Sequence, residues 1–124
     1  MVQAIGIDVG GTLTKIAYFE EDQQLKLLHF PSADLQKVSD WIASFKEDIQ
    51  IGLTGGRAEQ LKTFLRSHKN LHYLVEFDAT IAGVKYQLKK DGQNFTEGVI
   101  TNIGTGTSIH SLKGMLTFEL RELV

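Results

Sequence analysis

The chain has 124 residues, 42% hydrophobic and 23% charged, with a formal net charge of −2. This size and balance fit one soluble domain with a buried core, and they exclude a disordered segment; the slight acidic excess argues against nucleic acid or an anionic membrane as partner. There is no cysteine, which excludes a disulfide scaffold, a thiolate metal site and a cysteine nucleophile, and fits a cytoplasmic location.

The N-terminus has neither a basic start nor an apolar signal core. No apolar run approaches the ~20 residues of a membrane span. Ala4 to Asp8 is a β-branched strand that runs into Val9-Gly10-Gly11-Thr12, where paired glycines between apolar runs predict a hairpin turn. Strands follow from Thr14 to Phe19 and from Leu25 to Phe30, with a polar turn at residues 20–24 and the single proline, Pro31, as a stop. Three strands joined by tight turns make an antiparallel meander.

The period then changes. Leu35, Val38, Trp41, Ile42 and Phe45 fall at helical spacing, so Asp34 to Lys46 is expected to be an amphipathic helix. Ile49 to Leu53 is a short buried strand closed by Thr54-Gly55-Gly56, and Ala58, Leu61, Phe64 and Leu65 mark a second helix. A strand from His72 to Phe77 follows, with Asp78 as the expected N-cap of a helix carrying Ile81, Val84 and Leu88. After the turn at residues 89–92, Val99 to Ile103 is the last strand. The order is βββαβαβαβ, an α/β protein whose sheet has an antiparallel meander at one edge and a parallel portion.

Three strand ends carry chemistry. In Asp8-x-Gly10-Gly11-Thr12-x-x-Lys15, glycines let backbone amides approach a phosphate, Thr12 adds a hydroxyl, Lys15 a charge, and Asp8 a ligand for Mg²⁺. For the glycines alone a plain turn is the better explanation; Asp8, Thr12 and Lys15 at these offsets reverse that preference. Gly104-Thr105-Gly106-Thr107-Ser108 offers two glycines and three hydroxyls after another strand, suited to polyphosphate or a polyol; a glycine-rich hairpin with surface hydroxyls is the alternative. Ligands of open α/β sheets gather at such ends. Glu76, in Val75-Glu76-Phe77-Asp78, stands where a strand meets a helix and can accept a hydroxyl proton in phosphoryl transfer, unless it only caps the helix. Thr54-Gly55-Gly56-Arg57 is a fourth glycine turn, explained equally by tight strand-to-helix packing, with Arg57 read as a solvated first-turn residue. His29, His68, His72 and His110 show no ligand spacing.

The stretch Gly6-Ile7-Asp8-Val9-Gly10-Gly11-Thr12-Leu13-Thr14-Lys15 resembles the first phosphate loop of the acetate and sugar kinase, heat-shock chaperone and actin superfamily, whose core is ribonuclease H-like. Together with Leu53-Thr54-Gly55-Gly56, Val75 to Ala79 and Asn102 to Ser108, it is similar to type II pantothenate kinases, especially the compact bacterial form, over roughly residues 1–112. The resemblance implies ATP-dependent phosphorylation of pantothenate to 4'-phosphopantothenate in coenzyme A biosynthesis, with ATP and Mg²⁺ as cofactors. It implies Glu76 as catalytic base; Asp8, Gly10, Gly11, Thr12, Lys15 and Thr105 toward the nucleotide; and Gly104, Gly106 and Ser108 toward the substrate.

Beyond His110 the family continues with an arginine and then a second glycine-rich loop, whereas this chain reads on from Ser111 to Val124 with no Arg-Val-Gly-Gly string and no second glycine-rich loop. The expectation is therefore a single N-terminal kinase domain over residues 1–124, half of an actin-like fold, with an atypical tail at 111–124, the second half absent and little activity alone. Homodimerisation is a property of the full-length family and is not expected here. The alternatives are a non-catalytic nucleotide-binding fragment, or another sugar kinase of the superfamily. Many of the latter carry a zinc-binding cysteine cluster, and this chain has no cysteine.

Overall fold

A computed structural model of the chain describes residues 2–45, 48–93, 97–103, 107–113 and 116–123. The elements run β1 (Ala4–Val9), β2 (Leu13–Phe19), β3 (Leu25–Pro31), α1 (Leu35–Ile42), β4 (Gln50–Thr54), α2 (Ala58–Phe64), β5 (Leu71–Tyr73), α3 (Glu76–Lys90), β6 (Glu97–Ile103), β7 (Thr107–Lys113) and β8 (Leu116–Leu123). The chain divides into two compact units, Met1–Ala79 and Thr80–Val124. Among the described residues no helix is long and apolar enough to cross a membrane.

The first unit holds a five-stranded sheet in the order β3-β2-β1-β4-β5. β1 pairs antiparallel with β2, and β2 with β3, as the short turns require. β4 lies parallel to β1, and β5 parallel to β4, because helices make the crossovers. The mixed α/β sheet expected from the pattern is therefore present. The twofold period of each strand decides which face is buried. Ile5, Ile7, Val9, Ile16, Ile51 and Leu53 lie in the core, whereas Gly6, Asp8, Lys15, Ala17 and Gly52 occupy the alternate positions.

The core is closed by one stripe from each of two helices. Leu35, Val38 and Ile42 of α1 are buried, as are Ala58 and Leu61 of α2 with Leu65 just beyond it. The Asp34 carboxylate accepts from the Lys37 amide and caps α1. Trp41 packs with Tyr18 and Phe45, at ring-centroid distances of 5.5 and 4.8 Å, and so belongs to the core margin as its place on the stripe implied.

The first helix, expected to run to Lys46, ends at Ile42 with Ala43 as its C-cap, and the boundary between β5 and α3 also differs from the sequence reading. Strand pairing stops where the Leu74 amide donates to Leu53 O at 2.7 Å, so β5 is only three residues long. α3 then opens at Glu76 and not after Asp78, which places Asp78 inside the first turn beside Glu76 and not at the N-cap. Two carboxylates in that turn suit the positive end of the helix dipole.

In the second unit α3 ends at Lys90 with Gly92 at φ +78°; Gly92 N donates to Lys89 O and Gln93 N to Leu88 O, a glycine-terminated helix end. β6 does not join the five-stranded sheet. It forms an antiparallel three-stranded sheet, β6-β7-β8, in which Ile103 pairs with Thr107 across the hairpin. In the tail, Leu116–Leu123 form β8, paired antiparallel to β7, an element that the sequence reading did not assign.

Candidate functional site

The β1–β2 hairpin presents its glycine tip at the carboxyl edge of the sheet. Gly10 N donates to Leu13 O at 3.0 Å and closes the tip, and a Cβ on Gly10 would stand 2.9 Å from that same oxygen. Only glycine allows so tight a return. Asp8 and Lys15 are register partners on the two strands, with Nζ and Oδ2 3.8 Å apart. Their side chains are 36% and 65% exposed, so the pair contributes at most about 1 kcal/mol and leaves both charges open to another ion.

The register extends this pair into a transverse polar row. Lys15 partners His29 on β3, and Asp8 partners Thr54 on β4. Behind that row stand Leu27, Ala17, Gly6 and Gly52, where small residues leave the sheet face low. A groove of about 490 Å³ follows, lined by both rows and by Leu74 and Ala79. Thr54 is 9% exposed, and its buried Oγ1 has no hydrogen-bond partner. An orphaned hydroxyl of this kind costs about 1–3 kcal/mol.

Glu76 reaches the same edge by topology. Because β1, β4 and β5 are parallel, their carboxyl ends share one edge of the sheet, the edge that carries the β1–β2 tip. Glu76 is exposed and opens α3 just beyond the last residue paired at that edge. The five candidates at the first loop, Asp8, Gly10, Gly11, Thr12 and Lys15, thus share an edge with Glu76. Gly104, Thr105 and Gly106 lie outside the described residues, and Ser108 lies in β7 of the second unit.

Among the described residues no group of three or more His, Cys, Asp or Glu side chains could hold a metal ion. Asp8 is the only carboxylate in the 8–15 stretch. A single half-exposed carboxylate suits Mg²⁺ bound with a nucleotide, since that ion keeps several waters and takes its other ligands from phosphate.

Two residues that the sequence reading left out of the site touch the loop backbone. Ser32, buried at 1% exposure, follows Pro31 and donates through Oγ to Gly10 O. Arg57, read from sequence as solvated, donates through Nη1 to Gly11 O. No local spacing signals either contact, because the partners lie 22 and 46 residues apart in the chain.

No protein-family model matches the chain. It is 46% identical over 110 residues to type II pantothenate kinases of Bacillus cereus (strain ATCC 10987 / NRS 248) and Bacillus anthracis, and 37% identical over 111 residues to that of Staphylococcus epidermidis. These matches take in 89% of this chain, which spans 40% of the length of the curated relatives, in their N-terminal part. Solved structures agree on the fold. An Aquifex aeolicus Ppx/GppA phosphatase superposes with a TM-score of 0.58 at 16% identity, covering 99% of this chain and 52% of that one. The ethanolamine utilization protein EutJ of Carboxydothermus hydrogenoformans does so with a TM-score of 0.54 at 16% identity, covering 94% and 50%. Both are of the actin-like ATPase fold, of which this chain forms a half.

Proposed function

We propose, from the premise that this chain is a homologue of type II pantothenate kinases related to their N-terminal part, that its hairpin edge is the phosphate side of a pantothenate kinase site. The observation that carries the reading is the shared sheet edge of the 8–15 loop and Glu76. A kinase needs donors for phosphate oxygens and a base for the attacking hydroxyl within one cleft, because phosphoryl transfer is governed by positioning and electrostatics.

In this reading the amides of Gly10, Gly11 and Thr12, the Thr12 hydroxyl and the Lys15 ammonium bind phosphate oxygens. Asp8 holds Mg²⁺, directly or through water. Glu76 takes the proton of the pantothenate hydroxyl as that oxygen attacks phosphorus. Thr105 serves the nucleotide, and Gly104, Gly106 and Ser108 serve the substrate. When bound, MgATP supplies the transferred phosphoryl group and the charge neutralisation around it.

Calorimetry and product analysis on the purified chain test this. Binding of MgATP tighter than about millimolar, a free energy beyond roughly −4 kcal/mol, supports a working nucleotide site. ATP-dependent conversion of pantothenate to its phosphate, detected by mass, supports the full activity. Preference for a hexose over pantothenate overturns the substrate, and absence of both binding and turnover overturns the reading for this chain.

A further inference from the structure

Four successive carbonyls of the glycine tip are each held by a donor from outside the hairpin turn. Val9 O accepts from the Arg57 amide at 3.0 Å, and Gly10 O from Ser32 Oγ at 2.7 Å. Gly11 O accepts from Arg57 Nη1 at 3.2 Å, and Thr12 O from the Ser32 amide at 2.9 Å. Odd carbonyls go to Arg57 and even ones to Ser32. The serine is itself fixed, since its hydroxyl also lies 2.9 Å from Thr14 Oγ1, and both residues are fully buried.

We infer that Ser32 and Arg57 are a pair of positioning residues that clamp the carbonyls of the 9–12 loop and so hold its free amides in place for an anion. The physical link is the planar peptide unit, in which C=O and the following N–H point in opposite directions. Holding Gly10 O against Ser32 fixes the Gly11 amide away from Ser32, and holding Gly11 O against Arg57 fixes the Thr12 amide away from Arg57. Among the described residues neither amide donates to another protein group. Amides without a protein acceptor at a glycine turn are donors for an anion, and here the direction of each is set before any ligand arrives. The ligand class is a phosphate or polyphosphate. In this respect the inference rests on the phosphate-loop reading above, while the clamp itself stands on the hydrogen bonds.

The test uses the whole chain, labelled with ¹⁵N, as wild type and as Ser32→Ala, Arg57→Met and Arg57→Lys. Backbone order parameters of Gly11 and Thr12 are measured without ligand, and inorganic tripolyphosphate and MgATP are titrated by calorimetry. The clamp predicts order parameters near about 0.85 in the wild type and below about 0.6 in Ser32→Ala and Arg57→Met. Tripolyphosphate affinity falls about tenfold in those variants, as expected when donors lose their fixed direction, whereas Arg57→Lys, which keeps a donor for Gly11 O, stays within about threefold. Chemical denaturation of Arg57→Met separates this from unfolding, because the side chain is only partly buried and the fold should persist. A mobile loop in the wild type, or variants as rigid as the wild type, overturns the clamp. Mobile variants with unchanged tripolyphosphate affinity overturn its role in anion binding. If the wild type ignores both anions, the nucleotide reading falls, and the clamp is still judged by the order parameters alone.

Discussion

Replacing Gly55 by alanine should cost far more than the same change one residue later. Gly55 has φ +100°, and an added Cβ would lie 2.4 Å from Val9 O and 2.6 Å from Asp8 Oδ1. Val9 O cannot retreat freely, because it accepts from the Arg57 amide at 3.0 Å. An alanine at such a φ costs about 1–3 kcal/mol before any clash, and the lower entropy of the unfolded alanine chain returns only about 0.4–1 kcal/mol. With the overlap added, the net loss is about 2–4 kcal/mol. A unit of this size has roughly 4–12 kcal/mol in total, so the loss takes a large share of it. Trp41 is the only tryptophan and lies beside the core of the first unit, so urea titration followed by its fluorescence reports on that unit. With a slope of about 2 kcal/mol/M the midpoint should fall by about 1–2 M. Gly56→Ala is the control: no atom lies within 4 Å of its Cβ site, and a change within about 0.5 kcal/mol is expected. Equal midpoints for the two variants would refute the argument that the strand-to-helix turn is held tight against Asp8.

Thr54→Val should leave the first unit as stable or more stable by up to about 1 kcal/mol, since the hydroxyl it removes is buried without a partner; a loss above about 1 kcal/mol in the same titration would reveal a bond to it. Leu61→Ala, at a fully buried position between helix and sheet, should cost about 2–5 kcal/mol by the same assay. Leu27→Ser, at 73% exposure, should change stability by no more than about 0.5 kcal/mol. Where turnover is measurable, Glu76→Gln should lower kcat by about 10²–10⁴ with MgATP affinity retained, and near-normal turnover would return Glu76 to a helix-end role.

The repeating features of this protein were legible in its residues. Alternation in Ala4–Val9 and the stripes of α1 and α2 are local consequences of which face is buried, so strand, helix and core membership could be read without coordinates. Gly10-Gly11 announced a tight return, and crossovers through helices announced parallel pairing beside an antiparallel meander. The start of α3 was less legible. Val75 and Phe77 read as a continuing strand, yet sheet pairing had already ended at Leu74, and carboxylates at 76 and 78 favour the first turn of a helix.

What tertiary structure alone decided is which residues meet across the sheet. The row His29–Lys15–Asp8–Thr54 exists only once four strands are in register, and its members carry no common spacing. Ser32 and Arg57 reach the glycine loop over 22 and 46 residues of chain, so neither a turn nor a period could foretell them. The departure of β6 into its own antiparallel sheet was equally hidden, because an apolar strand reads alike whichever sheet receives it. Periodicity reports burial, a property of each segment by itself. Register and long-range hydrogen bonds are properties of pairs, and only the folded chain selects among the pairs its segments allow.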